Sequence, residues 1–287
     1  MTIPPIEGSI EGIMINIQRQ AYQSDLKDQE WNLINPLLPN ISTVGSRGRP
    51  QEWPLREILN AIYYILKAGC PWRMMPHDLP PWQTVYYHYR KWSKDSTWEG
   101  LNTALREQVR QQAGRNAQPS AAIIDSQSVK TTSIPGERGF DAGKKINGRK
   151  RHTAVDTIGL LLVAVVTAAS VQDRDGAKLI AEALRRKTGW HRLQLIWADG
   201  GYRGQLIDWM KKQLGCVLHI VKRDNSVKRF QVLPRRWVVE RTFGWLNHYR
   251  RLSKDYERLP ESSEAFIFAA MTHLMMRRLA RRRVPEG

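Results

Sequence analysis

"LIWADGGYRG", residues 195–204, is an apolar run that ends on a carboxylate and then loses its side chains. Leu195, Ile196 and Trp197 suit a buried strand, and Asp199 stands where that strand runs out, just before Gly200 and Gly201. A carboxylate at the lip of a buried strand either caps the helix that follows or performs chemistry.

The neighbouring segments alternate between strand and helix. "AAIIDSQSV" (121–129) is a short apolar strand ending in Asp125, and "RKRHTAVDTIGLLLVAVVTAA" (149–169) is a hairpin turning at Asp156–Gly159. "DGAKLIAEALRRK" (175–187) is a helix capped by Asp173 or Asp175. "LQLIWAD" (193–199) is a strand, "GQLIDWMKKQLG" (204–215) a helix and "CVLHIVK" (216–222) a strand. "RRWVVERTFGWLNHYRRL" (235–252) is one long helix and "SSEAFIFAAMTHLMMRRLARRR" (262–283) the last. Three strands in meander followed by helix, strand, helix, strand, helix is an α/β order. It predicts a ribonuclease H-like mixed sheet flanked by helices.

In that arrangement the strands bearing Asp125 and Asp199 lie side by side, and Glu240 on the following helix faces them. Three convergent carboxylates in a basic segment are costly unless cations neutralise them. An all-oxygen donor set suits Mg²⁺ or Mn²⁺. Two such ions ~3.5–4 Å apart would activate an attacking oxygen and stabilise a leaving one in phosphoryl transfer.

Charge points to the same class of partner. The 287-residue chain carries 45 Lys+Arg against 27 Asp+Glu, a formal charge of +18, which marks nucleic acid. Residues 1–117 hold 13 basic against 11 acidic side chains, net +2, whereas 118–287 hold 32 against 16, net +16. Cys70 and Cys216 are too few for a zinc site and suit small buried residues in a reducing cytosol. The longest apolar run, "IGLLLVAVVTAA" (158–169), is too short for a membrane helix. No secretory leader and no Walker-type phosphate loop is seen, so a cytoplasmic, nucleoid-associated protein is expected.

Residues 1–23 form a tail. From 24 to 116 the pattern is helical. "SDLKDQEWNLINPLLP" starts from Ser24 or Asp25 as N-cap, "PLREILNAIYYILKAG" places Ile58, Ile62, Ile65 and Leu66 on one face, and "WQTVYYHYRKW" (82–92) and "WEGLNTALREQVRQQAG" complete the set. The pair around the 69–81 turn suggests a helix-turn-helix-like, all-helical DNA-binding module. "GRNAQPS" (114–120) is the linker to an α/β domain over 117–287.

The motifs "IIDSQSVK", "WADGGYRG" and "RRWVVERTFGWLNHYRRL", with "GRKRHTAVDTIGLLL" and "VQDRDGAKL", resemble the DDE transposases of bacterial insertion sequences, and among them the insertion-sequence-five family. The resemblance covers roughly residues 24–280. It implies that Asp125, Asp199 and Glu240 are the catalytic, metal-holding acids. It also implies an enzyme that binds terminal inverted repeats, cleaves at element ends and transfers the 3′-hydroxyl strands into target DNA. Arg236 and Glu240 fit a related Tyr-Arg-Glu-Lys pattern, but Leu233 and Asn247 occupy its Tyr and Lys positions; His248 or Arg250 would take over the lysine's phosphate contact.

Plainer assignments stand beside these. Asp199 could cap the helix that follows Gly200–Gly201, Asp125 could cap a turn, and Glu240 could pair with Arg236 one helical turn away. Asp156, Asp173 and Asp175 suit turns and caps, and Asp208 and Asp224 suit solvated surface. The basic run "KKINGRKRH" (144–152) offers Lys144, Lys145, Arg149, Lys150 and Arg151 as phosphate contacts. Arg203 is a phosphate contact or a surface charge, and Arg236 is counted among the DNA contacts. In the helical module Gln83, Thr84, Tyr87, Arg90 and Lys91 would face a DNA groove, while Trp82, Tyr86 and Tyr89 face the core. Trp237 and Trp245 share a helical face, which is expected to pack into the core rather than to stack on bases. Phe266, Met271, Leu274, Met275 and Arg278 form either an inter-subunit stripe or core, for a chain expected to act on duplex DNA as a homodimer or larger. The competing functions are a non-catalytic DNA-binding regulator with the same fold and a structure-specific nuclease that cuts without joining.

Overall fold

The computed structural model describes residues 19–39, 52–187, 189–221 and 235–281. Most of the tail, the polar loop over 40–51, Asp224, Leu233 and the basic end beyond Arg281 lie outside the described residues.

Among the described residues four helices come first: α1 (Asp28–Ile34), α2 (Leu55–Ala68), α3 (Trp82–Lys94) and α4 (Thr97–Gln112). The first begins later than Ser24 or Asp25 would place it, because the Asp25 carboxylate is already engaged. It accepts the Tyr22 N–H at 3.0 Å and the Arg19 guanidinium at 2.7 Å, closing a turn upstream. The second runs to its expected stop at Gly69, whose φ of +75° only glycine adopts without strain and whose N–H reaches the Ile65 carbonyl at 2.8 Å.

The sheet follows. Its strands are β1 (Ala121–Lys130), β2 (Gly139–Asp141), β3 (Ile146–Asp156), β4 (Leu161–Ala168), β5 (Leu195–Ala198) and β6 (Val217–Ile220). The alternating helices are α5 (Asp173–Arg185), α6 (Leu206–Leu214), α7 (Trp237–Asn247) and α8 (Pro260–Arg281). β1 pairs antiparallel with β3 and parallel with β5, β5 pairs parallel with β6, and β4 and β2 share the far edge of β3. The three-residue β2 has no apolar pattern in the sequence, and nothing there announces it.

Two boundaries differ from expectation. Asp125 does not end its strand; β1 continues five residues further because β3 pairs with it as far as Lys130↔Gly148. The expected helix over 235–252 stops at Asn247, and a separate 3₁₀ turn covers Arg250–Leu252.

Period-two alternation along β1 sorts its side chains. Ala122 and Ile124 join the core under α5 and α6, whereas Ile123 joins the core under α7 and α8. Asp125 therefore faces α7 and Ser126 faces α5. Trp197 lies on the α7 side as well, so Asp199, two residues on, emerges there too. Where α5 crosses β3, a Cβ on Gly176 would overlap the His152 ring, so the glycine in "DRDGAKL" permits the approach.

α8 is buried almost all round, with Phe266, Met271 and Met275 at 0–1 % exposure. It packs against α1, α2, α4 and β4, and one continuous apolar core joins these helices to the α7 side of the sheet. The stripe considered for an inter-subunit contact is interior, and only Leu274 and Arg278 are part-exposed. Cys216 is buried, its thiol pushed up to about 11 by burial, while Cys70 is only half-buried. Among the described residues no helix is long and apolar enough to cross a membrane.

Candidate active site: three carboxylates around Arg236

Asp199, at the end of β5, both caps a turn and faces a cluster of charge. It is the N-cap of a 3₁₀ turn over Gly200–Tyr202, its Oδ1 accepting the Gly201 N–H at 2.8 Å. Its Oδ2 points elsewhere, 3.3 Å from Nη2 of Arg236.

That nitrogen is a shared centre. Asp125 Oδ2 lies 3.9 Å from it and Glu240 Oε1 3.7 Å from it. Three carboxylates from β1, the end of β5 and the first turn of α7 thus surround one guanidinium, and the Glu240–Arg236 pairing across one helical turn is one spoke of that arrangement. Burial pushes the Asp125 carboxyl up to about 6, against the Ser126 N–H (2.7 Å) and Arg236, which pull it down; Asp199 nearby raises it further. Glu240 stands at the mouth, its side chain 53 % exposed.

A second tier supports the first from the α5 side. Asp173 is not a cap: Gln172 holds that position, and Asp173 Oδ1 accepts the Ser126 hydroxyl at 2.7 Å and pairs with Lys150 at 3.1 Å. Burial works to raise the Asp173 carboxyl, but the Ser126 and Lys150 bonds hold it below its usual range. Lys144 donates to the Ser126 carbonyl at 3.0 Å, which sets its ammonium beside Asp125. Buried Tyr202 is raised well above its ordinary value, first by burial and then by Asp125, Asp173 and Asp199. Sequence reasoning missed Asp173 and Tyr202; "VQDRDGAKL" held the first, but only the fold sets it beside Ser126.

The donor set fits a hard divalent cation in chemistry: oxygen only, anionic, and gathered around a single positive centre. As the side chains stand, no group of three or more His, Cys, Asp or Glu among the described residues is close enough to share an ion. The guanidinium occupies that centre instead.

The sequence pattern of the family described as "Transposase DDE domain" matches residues 116–275, more than half of the chain. The chain belongs to the DDE-domain transposases. A second family, described as "Putative transposase of IS4/5 family", matches residues 26–102. Two proteins of Burkholderia cepacia are similar over shorter stretches. One, "Putative transposase for insertion sequence element IS402", is 33% identical over 125 residues, 42% of this chain and 59% of that protein. The other, "Insertion element IS402 uncharacterized 16.2 kDa protein", is 29% identical over 125 residues, 42% of this chain and 78% of its own. The alignment thus spans less than two thirds of the first relative's length.

This DDE transposase distributes its remaining basic candidates unevenly. Lys144, Lys145, Arg203, His248 and Arg250 are exposed, and the Arg203 guanidinium lies over Gly200 beside Asp199. Arg149, Lys150 and Arg151 are not surface phosphate contacts, because they are buried and engaged. Arg149, 1 % exposed, donates to Asp255 and to the carbonyls of Glu137, Glu257 and Arg258. Arg151 donates to the carbonyls of Leu252 and Lys254, and Lys150 pairs with Asp141 as well as Asp173. A buried charge needs such partners. In the helical region Gln83, Lys91 and Tyr87 (62 % exposed) face outward, while Thr84 is half-buried. Arg90 is tied to the start of α8 through Ser262 Oγ at 2.8 Å. Tyr89 is core, but Tyr86 is partly exposed and Trp82 half-buried.

Asp156 behaves as the turn residue it was expected to be. Its Oδ1 accepts the N–H groups of Ile158 and Leu160, and its Oδ2 takes a 2.6 Å bond from Arg110 on α4. Asp175 pairs with Lys178 on the surface, and Asp208 lies in the first turn of α6.

Proposed function

We propose that this protein is a transposase that cuts DNA at the ends of an insertion sequence and joins the freed strands to target DNA. The observation that carries the reading is the convergence of Asp125, Asp199 and Glu240 on one cationic centre, from three elements far apart in sequence. The strand order β4-β3-β1-β5-β6, three antiparallel strands followed by two parallel ones, supports a ribonuclease H-like sheet.

In this reading the three acids hold Mg²⁺ or Mn²⁺, in two ions, with Arg236 withdrawn from the centre it occupies. When bound, such ions lower the pKa of an attacking water or 3′-hydroxyl and offset charge on the departing oxygen. The chain's own residues do the rest. Capping of the Gly200–Tyr202 turn fixes one Asp199 oxygen and leaves the other free to face the site. The Ser126 N–H fixes Asp125 in the same way. Lys144, Arg203 and the displaced Arg236 supply positive charge for the scissile phosphate, and Lys144 is oriented for it by the Ser126 carbonyl. We assign end recognition to residues 24–116, where Gln83, Tyr87 and Lys91 form an outward-facing set on α3, and the chemistry to 117–287. Duplex DNA is the partner, and processing two ends calls for at least two chains on it.

The test is incubation of the full chain with end-bearing DNA, target plasmid and Mg²⁺. Joined product supports the reading. Cleavage without joining identifies a nuclease instead, and DNA binding with neither identifies a regulator.

A further inference from the structure

We propose that a basic groove along the outer face of α7 holds the DNA strand that leads into the acid site; this rests on the transposase reading and names where its substrate lies. Trp237 and Trp245, expected in the core, are not closed into it: Trp237 is 42 % exposed and Trp245 half-buried. The Arg241 guanidinium stacks over both rings, 4.5 Å from the Trp237 centroid and 4.7 Å from that of Trp245. Arg278 from α8 stacks on Trp245 at 4.1 Å. The result is a ladder in which guanidinium groups and indole rings alternate. Its floor is the β3–β4 turn, where Arg241 donates to the Ile158 carbonyl at 2.9 Å and Gly159 leaves room for the Trp245 ring.

Two adjoining concavities of about 510 and 250 Å³ lie along this ladder, sharing Trp245, Arg278 and Arg281. Arg241 lines the first, and Lys67 and Arg277 line the second. Among the described residues no carboxylate lines either one. Lys67 is held below its usual range by burial and by Arg277, and an anion beside it would offset the Arg277 repulsion.

The occupant follows from charge and position. Arg277 is already paired with Glu30 at 3.7 Å, and the other four cationic side chains, Lys67, Arg241, Arg278 and Arg281, line a wall with no acid among its described lining residues, which suits a chain of phosphates rather than an acidic peptide's scattered carboxylates. Trp237 precedes Glu240 by three positions on α7 and is its neighbour on the helix surface. A strand seated at Glu240 therefore passes onto the ladder without crossing an acidic surface. Contact with the indoles also restrains the Arg241 and Arg278 guanidinium groups before DNA arrives, which reduces the ordering cost of their phosphate bonds.

Binding of the full chain to end-bearing duplex, measured across a salt series, tests this in the absence of metal. The Arg241→Gln/Arg278→Gln pair should bind more weakly, with a log–log salt slope shallower by about 0.9 for each phosphate it no longer neutralises. Phosphate-ethylation interference should disappear at adjacent positions on one strand. Lys211→Gln/Lys212→Gln, which removes the same charge from exposed positions on α6, should change neither. Arg241→Lys keeps the charge without the planar stack and should fall between the two. An unchanged slope and interference pattern in the Arg241/Arg278 pair overturns the groove while leaving the transposase reading intact. So does light scattering that shows the pair dissociating a DNA-free dimer, which would make a second copy the occupant. Failure of the wild-type chain to bind end-bearing DNA at all defeats the transposase reading itself, and the groove with it.

Discussion

Nη2 of Arg236 lies 3.3 Å from Oδ2 of Asp199, and the same nitrogen is within 4.0 Å of Asp125 and Glu240. The guanidinium therefore balances a charge cluster that would otherwise repel itself. Any cation drawn to these acids competes with it.

Thermal unfolding with and without divalent ions follows from that competition. A ligand that binds only the folded state raises its stability, so Mg²⁺ or Mn²⁺ should raise the wild-type Tm. Glu240→Gln, Asp199→Asn and Asp125→Asn should each reduce that rise, whereas Arg236→Gln should enlarge it by freeing the centre. A metal response untouched by all three acid variants would place the ions elsewhere.

The same three acid substitutions should abolish strand cleavage while leaving DNA-end affinity within about twofold, because the ligands of a catalytic ion do not anchor a duplex. Gel-shift and cleavage assays on one preparation check this. A variant that cleaves at the wild-type rate removes its residue from the site.

Asp125 carries a pH signature. Its folded pKa, raised by burial to about 6 from 3.8, disfavours the charged form, so folding loses stability as pH rises through that window. Metal-free Asp125→Asn should match the wild type near pH 3.5. Above pH 7 it should be more stable by roughly 2–3 kcal/mol, because each tenfold change in an acid's proton affinity is worth about 1.4 kcal/mol. Denaturant titrations at both pH values measure it.

Asp173→Ala removes the acceptor of the Ser126 hydroxyl and one partner of buried Lys150. A cost of about 1–3 kcal/mol is expected, with Asp173→Asn milder because its amide oxygen still accepts from Ser126. Denaturant unfolding of the two variants separates the bond from the charge.

Deleting residues 1–116 should leave a fragment that fails to fold cleanly. α8 is buried almost all round, and α1, α2 and α4 cover much of it. The 117–287 piece should expose that surface, aggregate and bind a hydrophobic dye. A monomeric fragment with a sharp thermal transition would show that the sheet and α8 suffice.

The sequence by itself determined the local elements and the place of the three acids on them. Apolar runs of strand length, periodicity on α2 and glycines past helix ends are local signals, set by backbone sterics within a few residues. Asp199 was legible because it follows an apolar strand directly, and "WVVERTFGW" placed Glu240 on a helix. The length of β1 was not legible, since only pairing with β3 extends it past Asp125. Tertiary structure alone decided which charges are inside. Arg149 finds Asp255 106 residues away and Arg110 finds Asp156 46 residues away, and no local pattern records such partners. It also turned Trp237 outward and α8 inward, because burial depends on what another part of the chain brings to a surface. Helical spacing gives a side chain its direction; only the packed neighbours decide whether that direction leads to core, to solvent or to DNA.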